Sequence, residues 1–187
     1  MDIKTKLREA LLKEGAHKDK KGNSYGCVMV FLDYDKSEWK KIQDIIDDDD
    51  LYEPKDETGF GREKEPHVTI LYGLHDDIED KDIADEVDKI KTPGIKLGKV
   101  SSFENDKFDV LKFDVVSSDL HELNKEFKEF PHTSTFPKYE PHSTIAYVKK
   151  GKAKEYIDKL NKAGKIEVKP DKIVYSKANG EKKNYKI

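Results

Sequence analysis

The chain has 187 residues, 40% of them charged, 35% hydrophobic and 10% aromatic; this suits one domain with a packed core and a heavily solvated surface, and it excludes a disordered composition. Lys plus Arg (36) nearly balance Asp plus Glu (39), and Arg8 and Arg62 are the only arginines, so no global cationic field is available to hold long duplex nucleic acid. The single Cys27 excludes an internal disulfide and a thiolate metal cluster, and no apolar run is long enough to span a membrane or act as a signal core.

Ile3, Leu7, Ala10 and Leu11 recur at helical spacing and predict an amphipathic N-terminal helix over 2–14, ending near Gly15. A first strand is predicted over 25–33, with Cys27 buried in its apolar run as a structural thiol. Ser37 is placed to cap a helix with Trp39, Ile42, Ile45 and Ile46 on one stripe, which decays into a solvated turn at Asp47-Asp48-Asp49-Asp50. Residues 53–66, with Pro54, Gly59, Gly61 and Pro66, read as a long loop of the kind that forms lids. After a strand at His67 come a helix carrying Ile78, Ile83, Val87 and Ile90, strands near 95–103 and 107–116, and a helix over 118–129. A strand at His142, a helix over 152–163, and strands from Ile166 to Val168 and from Ile173 to Ile187 turning at Asn179-Gly180 complete the chain.

One octapeptide occurs twice. Glu65-Pro66-His67-Val68-Thr69-Ile70-Leu71-Tyr72 returns as Glu140-Pro141-His142-Ser143-Thr144-Ile145-Ala146-Tyr147. Alternate residues of a strand share a face, so each copy predicts a histidine and a threonine side by side, with Val68, Ile70, Tyr72, Ile145 and Tyr147 turned into a core. Strands alternating with helices, and a motif repeated 75 residues apart, predict an α+β fold: one domain over 1–187, with residues 1–15 as an added helix, built as two pseudo-symmetric lobes of mainly antiparallel sheet around a cleft.

Two facing histidines can activate an oxygen nucleophile and protonate a departing oxygen near neutral pH. Two threonine hydroxyls can hold the non-bridging oxygens of a phosphodiester between them, so His67, Thr69, His142 and Thr144 are the catalytic candidates, with no cofactor and no metal expected. His132 in Pro131-His132-Thr133-Ser134 lacks a following apolar strand and reads as surface loop, and His75 as part of a turn.

His67-Val68-Thr69-Ile70 and His142-Ser143-Thr144-Ile145 resemble the His-x-Thr/Ser-hydrophobic motifs of the two-histidine (2H) phosphoesterase superfamily, and the two-lobed organisation extends the resemblance over most of the chain. Within that superfamily, Tyr25-Gly26-Cys27-Val28-Met29-Val30, Leu51-Tyr52-Glu53-Pro54 and the stretch from Pro66 to His75 are most similar to phage anti-CBASS proteins, enzymes that destroy the cyclic di- and trinucleotide messengers of bacterial antiphage signalling. The resemblance implies metal-independent cleavage of a 3′–5′ phosphodiester and leaves open which histidine is the base and whether water or a 2′-hydroxyl attacks. Nucleobases need stacking platforms, for which Tyr25 and Tyr185 are candidates, and Arg62 in the expected lid is a candidate phosphate donor. The expected partner is a cyclic oligonucleotide, with no long duplex nucleic acid and no membrane, for a monomer in the cytoplasm, that of the host cell if phage-encoded. An RNA-processing member of the superfamily, acting on 2′,3′-cyclic or 2′–5′ ends, and a binder that sequesters cyclic nucleotides without turnover are the competing readings.

Overall fold

A computed structural model describes residues 17–18, 24–56, 59–133 and 138–187; the helix expected over 2–14 lies outside them. The elements are β1 (His17–Lys18), β2 (Ser24–Tyr34), α1 (Lys36–Gln43), β3 (His67–Leu74), α2 (Asp80–Val87), β4 (Lys96–Glu104), β5 (Phe108–Val116), α3 (Ser118–Phe127), β6 (His142–Lys149), α4 (Ala153–Lys162), β7 (Val168–Ser176) and β8 (Lys182–Lys186). All strand pairing is antiparallel. One sheet has β2 between β3 and β7, with β8 beyond β7 and β1 joined to the start of β2; the other runs β4-β5-β6. This is the expected α+β architecture of two antiparallel sheets with flanking helices.

The cap of α1 differs from expectation. Asp35, not Ser37, occupies the N-cap, and its carboxylate accepts from the backbone N–H groups of Ser37 (2.7 Å) and Glu38 (3.0 Å). A carboxylate at this place also meets the positive end of the helix, so it outcompetes the hydroxyl two residues on. The helix stops at Gln43, and the turn after it carries Ile46 into the core.

One apolar core joins the two sheets. Val28, Val30, Val68, Ile70 and Leu71 from the first sheet meet Leu111, Phe113, Ile145 and Ala146 from the second, together with Trp39, Ile42, Leu120, Leu123 and Phe127 from α1 and α3. β3 and β6, the edge strands of their sheets, approach each other at the junction.

The outer edges of these two strands are covered crosswise. The loop that leads into β3 pairs with β6: Tyr52 N–H donates to the Tyr147 carbonyl (2.9 Å), Glu63 N–H to that of Ile145 (3.0 Å), and Tyr147 N–H to that of Gly61 (2.8 Å). The loop that leads into β6 pairs with β3, with Thr133 N–H donating to the Gly73 carbonyl (2.8 Å) and His75 N–H to that of Pro131 (3.0 Å). The segment expected as a lid, 53–66, is thus hydrogen-bonded to β6 through Gly61 and Glu63, with Tyr52 just ahead of it bonded there too. His132, expected in a surface loop, bridges to Leu74 and is half-buried.

The approach of Thr133 to β3 demands glycine. Gly73 has φ +104°, and a Cβ there would stand 2.2 Å from the Thr133 carbonyl oxygen. Gly73→Ala should lower the unfolding free energy by about 1–2 kcal/mol from backbone conformation alone, with the clash in addition. Urea denaturation checks this; an unchanged midpoint would show that the 131–133 segment can move off β3 without cost.

Candidate functional site

The two motif strands do not alternate evenly. In the pairing of β2 with β3, Met29 faces Thr69 and Val28 faces Leu71, so Ile70 is an extra residue; in that of β5 with β6, Lys112 faces Thr144 and Leu111 faces Ala146, so Ile145 is extra. Each motif therefore contains a β-bulge at its isoleucine, which puts two consecutive residues, Ile70-Leu71 or Ile145-Ala146, into the core and reverses the alternation of the residues after it. Tyr72 and Tyr147 are thereby turned onto the face that carries the histidines and threonines, which corrects the expectation that they face away from it. Tyr147 packs instead with Phe108 and Val110, against Tyr52, Phe60 and Phe103.

A bulge leaves backbone groups without ladder partners, and here a side-chain amide reaches each bulge carbonyl, that of Ile145 in addition to the Glu63 N–H. Gln43 of α1 donates from Nε2 to the Ile145 carbonyl (3.0 Å) and also to that of Glu63 (2.7 Å), while Asn124 of α3 donates from Nδ2 to the Ile70 carbonyl (2.7 Å). Tyr139 O–H donates to the Thr69 carbonyl (2.9 Å). Gln43 and Asn124 interrupt the apolar stripes of their helices, and that interruption is the signal by which sequence reading could have found them.

His67 and His142 are held alike. Each donates its Nδ1–H to the carbonyl two residues earlier, Glu65 or Glu140, at 2.8 Å. A carbonyl can only accept, so Nδ1 carries the proton, and Nε2 is the ring nitrogen at which each histidine can gain or lose one. The carbonyls of Pro66 and Pro141 accept in turn from Leu32 and Val115 N–H at 3.0 Å, fixing the start of each motif strand. Thr69 follows on the same face as His67, and Thr144 on the same face as His142.

The surroundings of the two histidines differ. Phe31 stacks on His67 at 5.3 Å between ring centres, and Met29 stands opposite Thr69. In the matching positions beside His142 and Thr144 are Asp114 and Lys112. Burial, chiefly, pushes the His142 imidazole down to about 4; the hydrogen bond to Glu140 works against this, Lys112 and His67 add to it, and Asp114 opposes it. For Asp114 burial works upward, but hydrogen bonds from Lys112 and Ser101 prevail and hold the carboxyl below the usual range.

Tyr25, at the start of β2, groups with Tyr72 (6.3 Å) and His75 (5.9 Å) at the end of the first sheet's site face. Tyr185 is not brought there. It packs against the main core with its hydroxyl toward the Asp80 carbonyl, whereas the exposed Lys182, Asn184 and Lys186 alternate with it, so its expected place at the substrate is corrected by the register of β8. Arg62 is committed elsewhere: it donates to the carbonyls of Gln43 (3.3 Å) and Ile46 (2.6 Å) and pairs with Asp48, joining the loop to the end of α1. Cys27 is half-buried on the site face, opposite Tyr72, rather than in the main core. Among the described residues no three of His, Cys, Asp and Glu are gathered to hold a metal, and no helix is long and apolar enough to cross a membrane.

The sequence profile of the 2′–5′ RNA ligase superfamily matches residues 35–181, a span that contains both motifs. The chain belongs to this superfamily, that of the two-histidine phosphoesterases. Among solved structures, Kluyveromyces marxianus Usb1 shares the fold at 12% identity and a TM-score of 0.54, over 87% of this chain and 98% of that one. The same protein with uridine monophosphate matches at 11% identity and a TM-score of 0.51, with the same coverage. No curated protein matches the chain in sequence.

Asn124→Leu should leave the Ile70 carbonyl buried without its partner and cost about 1–3 kcal/mol of stability, read from a denaturant midpoint. A loss below a few tenths would show that the bulge does not depend on the amide. The His142 environment predicts a pH dependence as well. Its folded value lies below the ordinary 6.5, so between 6.5 and about 4 the unfolded chain takes up a proton that the folded one refuses. That contribution is complete above 6.5 and is lost as the pH falls toward 4, and the slope of stability in this window should flatten in His142→Gln.

Proposed function

We propose that the protein is a metal-independent phosphodiesterase that opens 3′–5′ linkages of cyclic di- and trinucleotide messengers, and that in a host cytoplasm this would silence CBASS antiphage immunity. The observation that carries the reading is the pairing of two histidines, each with its Nδ1–H held by the carbonyl two residues earlier, with two threonines on adjoining strand edges. One imidazole takes the proton of the attacking oxygen and the other supplies a proton to the leaving oxygen. The hydroxyls of Thr69 and Thr144 steady the non-bridging oxygens as charge builds. Aromatic groups lie toward both ends of the site face, Tyr25 with Tyr72 in one lobe and Phe103 near Tyr147 in the other. That arrangement supports a substrate with a base on either side of the scissile phosphate, acted on by a monomer without a membrane or long duplex.

A second reading is an RNA-processing enzyme acting on 2′,3′-cyclic phosphate or 2′–5′ ends. It is favoured by the superfamily's name and by the likeness to a structure holding uridine monophosphate. Incubation with cyclic dinucleotides, cyclic trinucleotides and 2′,3′-cyclic nucleotides in excess EDTA, followed by mass analysis, separates the readings. Linear oligonucleotides support the first, opened 2′,3′-cyclic ends the second, and intact bound ligand leaves only sequestration. Turnover that stops in EDTA and returns with a divalent ion contradicts the metal-free mechanism.

His67→Ala and His142→Ala should each lower turnover by about 10²–10⁴-fold, with His132→Ala near the parent. Thr69→Val and Thr144→Val should each cost about 1.5–3 kcal/mol of transition-state stabilisation, with smaller effects on stability. Steady-state kinetics of the set on the preferred substrate is the check, and a His132 variant as impaired as His142→Ala would move the second catalytic histidine to His132.

A further inference from the structure

Lys112 is buried, which is unusual for lysine and needs a partner. Its ammonium reaches Ser101 Oγ (2.7 Å) and Asp114 Oδ1 (2.5 Å), and it lies 4.3 Å from the centre of the Phe103 ring. Phe103 in turn meets His142 edge-on at 4.9 Å. Register places Lys112 directly across from Thr144, and Asp114 directly across from His142. The other half of the molecule has the same bulge, the same amide clamp and the same histidine hydrogen bond, yet Met29 and Phe31 fill the matching positions. An ion pair between neighbours on one strand, with its carboxylate half exposed, adds little stability. What distinguishes the His142 side is that its lysine is buried and held by Asp114, whereas on the other side Lys172 of β7 is half-buried and lies 5.3 Å from the centre of the Phe31 ring that stacks on His67.

We propose that Lys112 is a positioning residue of the active site: its ammonium, fixed against Asp114 on the strand that pairs with β6, keeps His142 in the neutral form that can serve as base and leaves His67 to serve as acid. The inference rests on the phosphodiesterase reading for its consequence, though not for its physical content. The charged groups facing His142 are Lys112 and Asp114 on β5 and His67 on β3; the Glu140 carboxylate pairs outward with Lys138 at 3.9 Å, and β4 contributes the neutral Ser101 and Phe103. A positive charge near an imidazole disfavours its protonated form, and a carboxylate favours it. In the reaction, His142 Nε2 takes the proton of the attacking hydroxyl as the new P–O bond forms. His67 gives its Nε2 proton to the departing oxygen as the old P–O bond breaks, and exchange with water restores both rings.

The test is an NMR titration of the His142 ring in the full chain, alongside the pH profile of kcat/KM. Lys112→Met should move the His142 titration and the acid limb upward by on the order of one pH unit, Lys112→Arg should leave both near the parent, and Asp114→Asn should move both downward. A titration unmoved in Lys112→Met, or moved as far in Lys112→Arg, overturns the proposal. If Lys112→Met does not fold, Asp114→Asn decides: a downward shift supports the assignment, and none or an upward one overturns it. Because the titration needs no substrate, it reads Lys112 even if no cyclic nucleotide is cleaved. The division of labour is read with a nucleoside p-nitrophenyl phosphodiester, whose leaving group needs no acid. His67→Ala should recover most of its turnover on this substrate and His142→Ala should not; the reverse overturns the assignment.

Discussion

Two carbonyl groups, those of Ile70 and Ile145, govern the geometry of the site. Each belongs to the extra residue of a bulge and lies inside the core, where an unpaired carbonyl would cost as much as a lost hydrogen bond. Asn124 answers the first, and Gln43 shares the second with the Glu63 N–H; both amides come from the helix that follows the central strand of the opposite sheet. With the bulges fixed, His67, Thr69 and Tyr72 share one face although their spacing is two and then three residues. His142, Thr144 and Tyr147 do the same. The catalytic candidates are therefore positioned by buried polar contacts within the common core as well as by the strands that carry them.

Much of this was legible in the sequence because it depends on period. The repeated octapeptide, the alternation of His67 with Thr69 and of His142 with Thr144, and the order of strands and helices follow from patterns that a strand or helix must obey. The features that were not legible depend on register between distant segments. The reversal at Tyr72 and Tyr147 needs the bulge, and the bulge shows only when Met29 is set against Thr69 and Lys112 against Thr144. Tyr185 was misplaced for the same reason: one step of register along β8 decides which side of the sheet a residue occupies. Arg62 illustrates a different limit, since a lone arginine in a loop looks available until the carbonyls of Gln43 and Ile46 are found beside it.

The internal repeat has kept its backbone and changed its electrostatics. Backbone hydrogen bonds, bulges and amide clamps recur in both halves, whereas the residues opposite each His-x-Thr differ, apolar in one and charged in the other. A symmetric scaffold brings two like groups to one phosphate, but cleavage moves a proton in one direction. Differences in the neighbouring strand are enough to distinguish the ends without disturbing the frame.

The crosswise covering of β3 and β6 bears on how such a molecule can be divided. The segment entering each motif strand closes the edge of the other, and α3 packs behind β3 although it follows β5. The two lobes are thus interlocked in the manner of an exchanged dimer whose subunits have been joined into one chain. A half-length polypeptide would leave the outer edge of its motif strand bare, and an N-terminal half would also lose β7 and β8 from beside β2, a double template for pairing with any other strand it met.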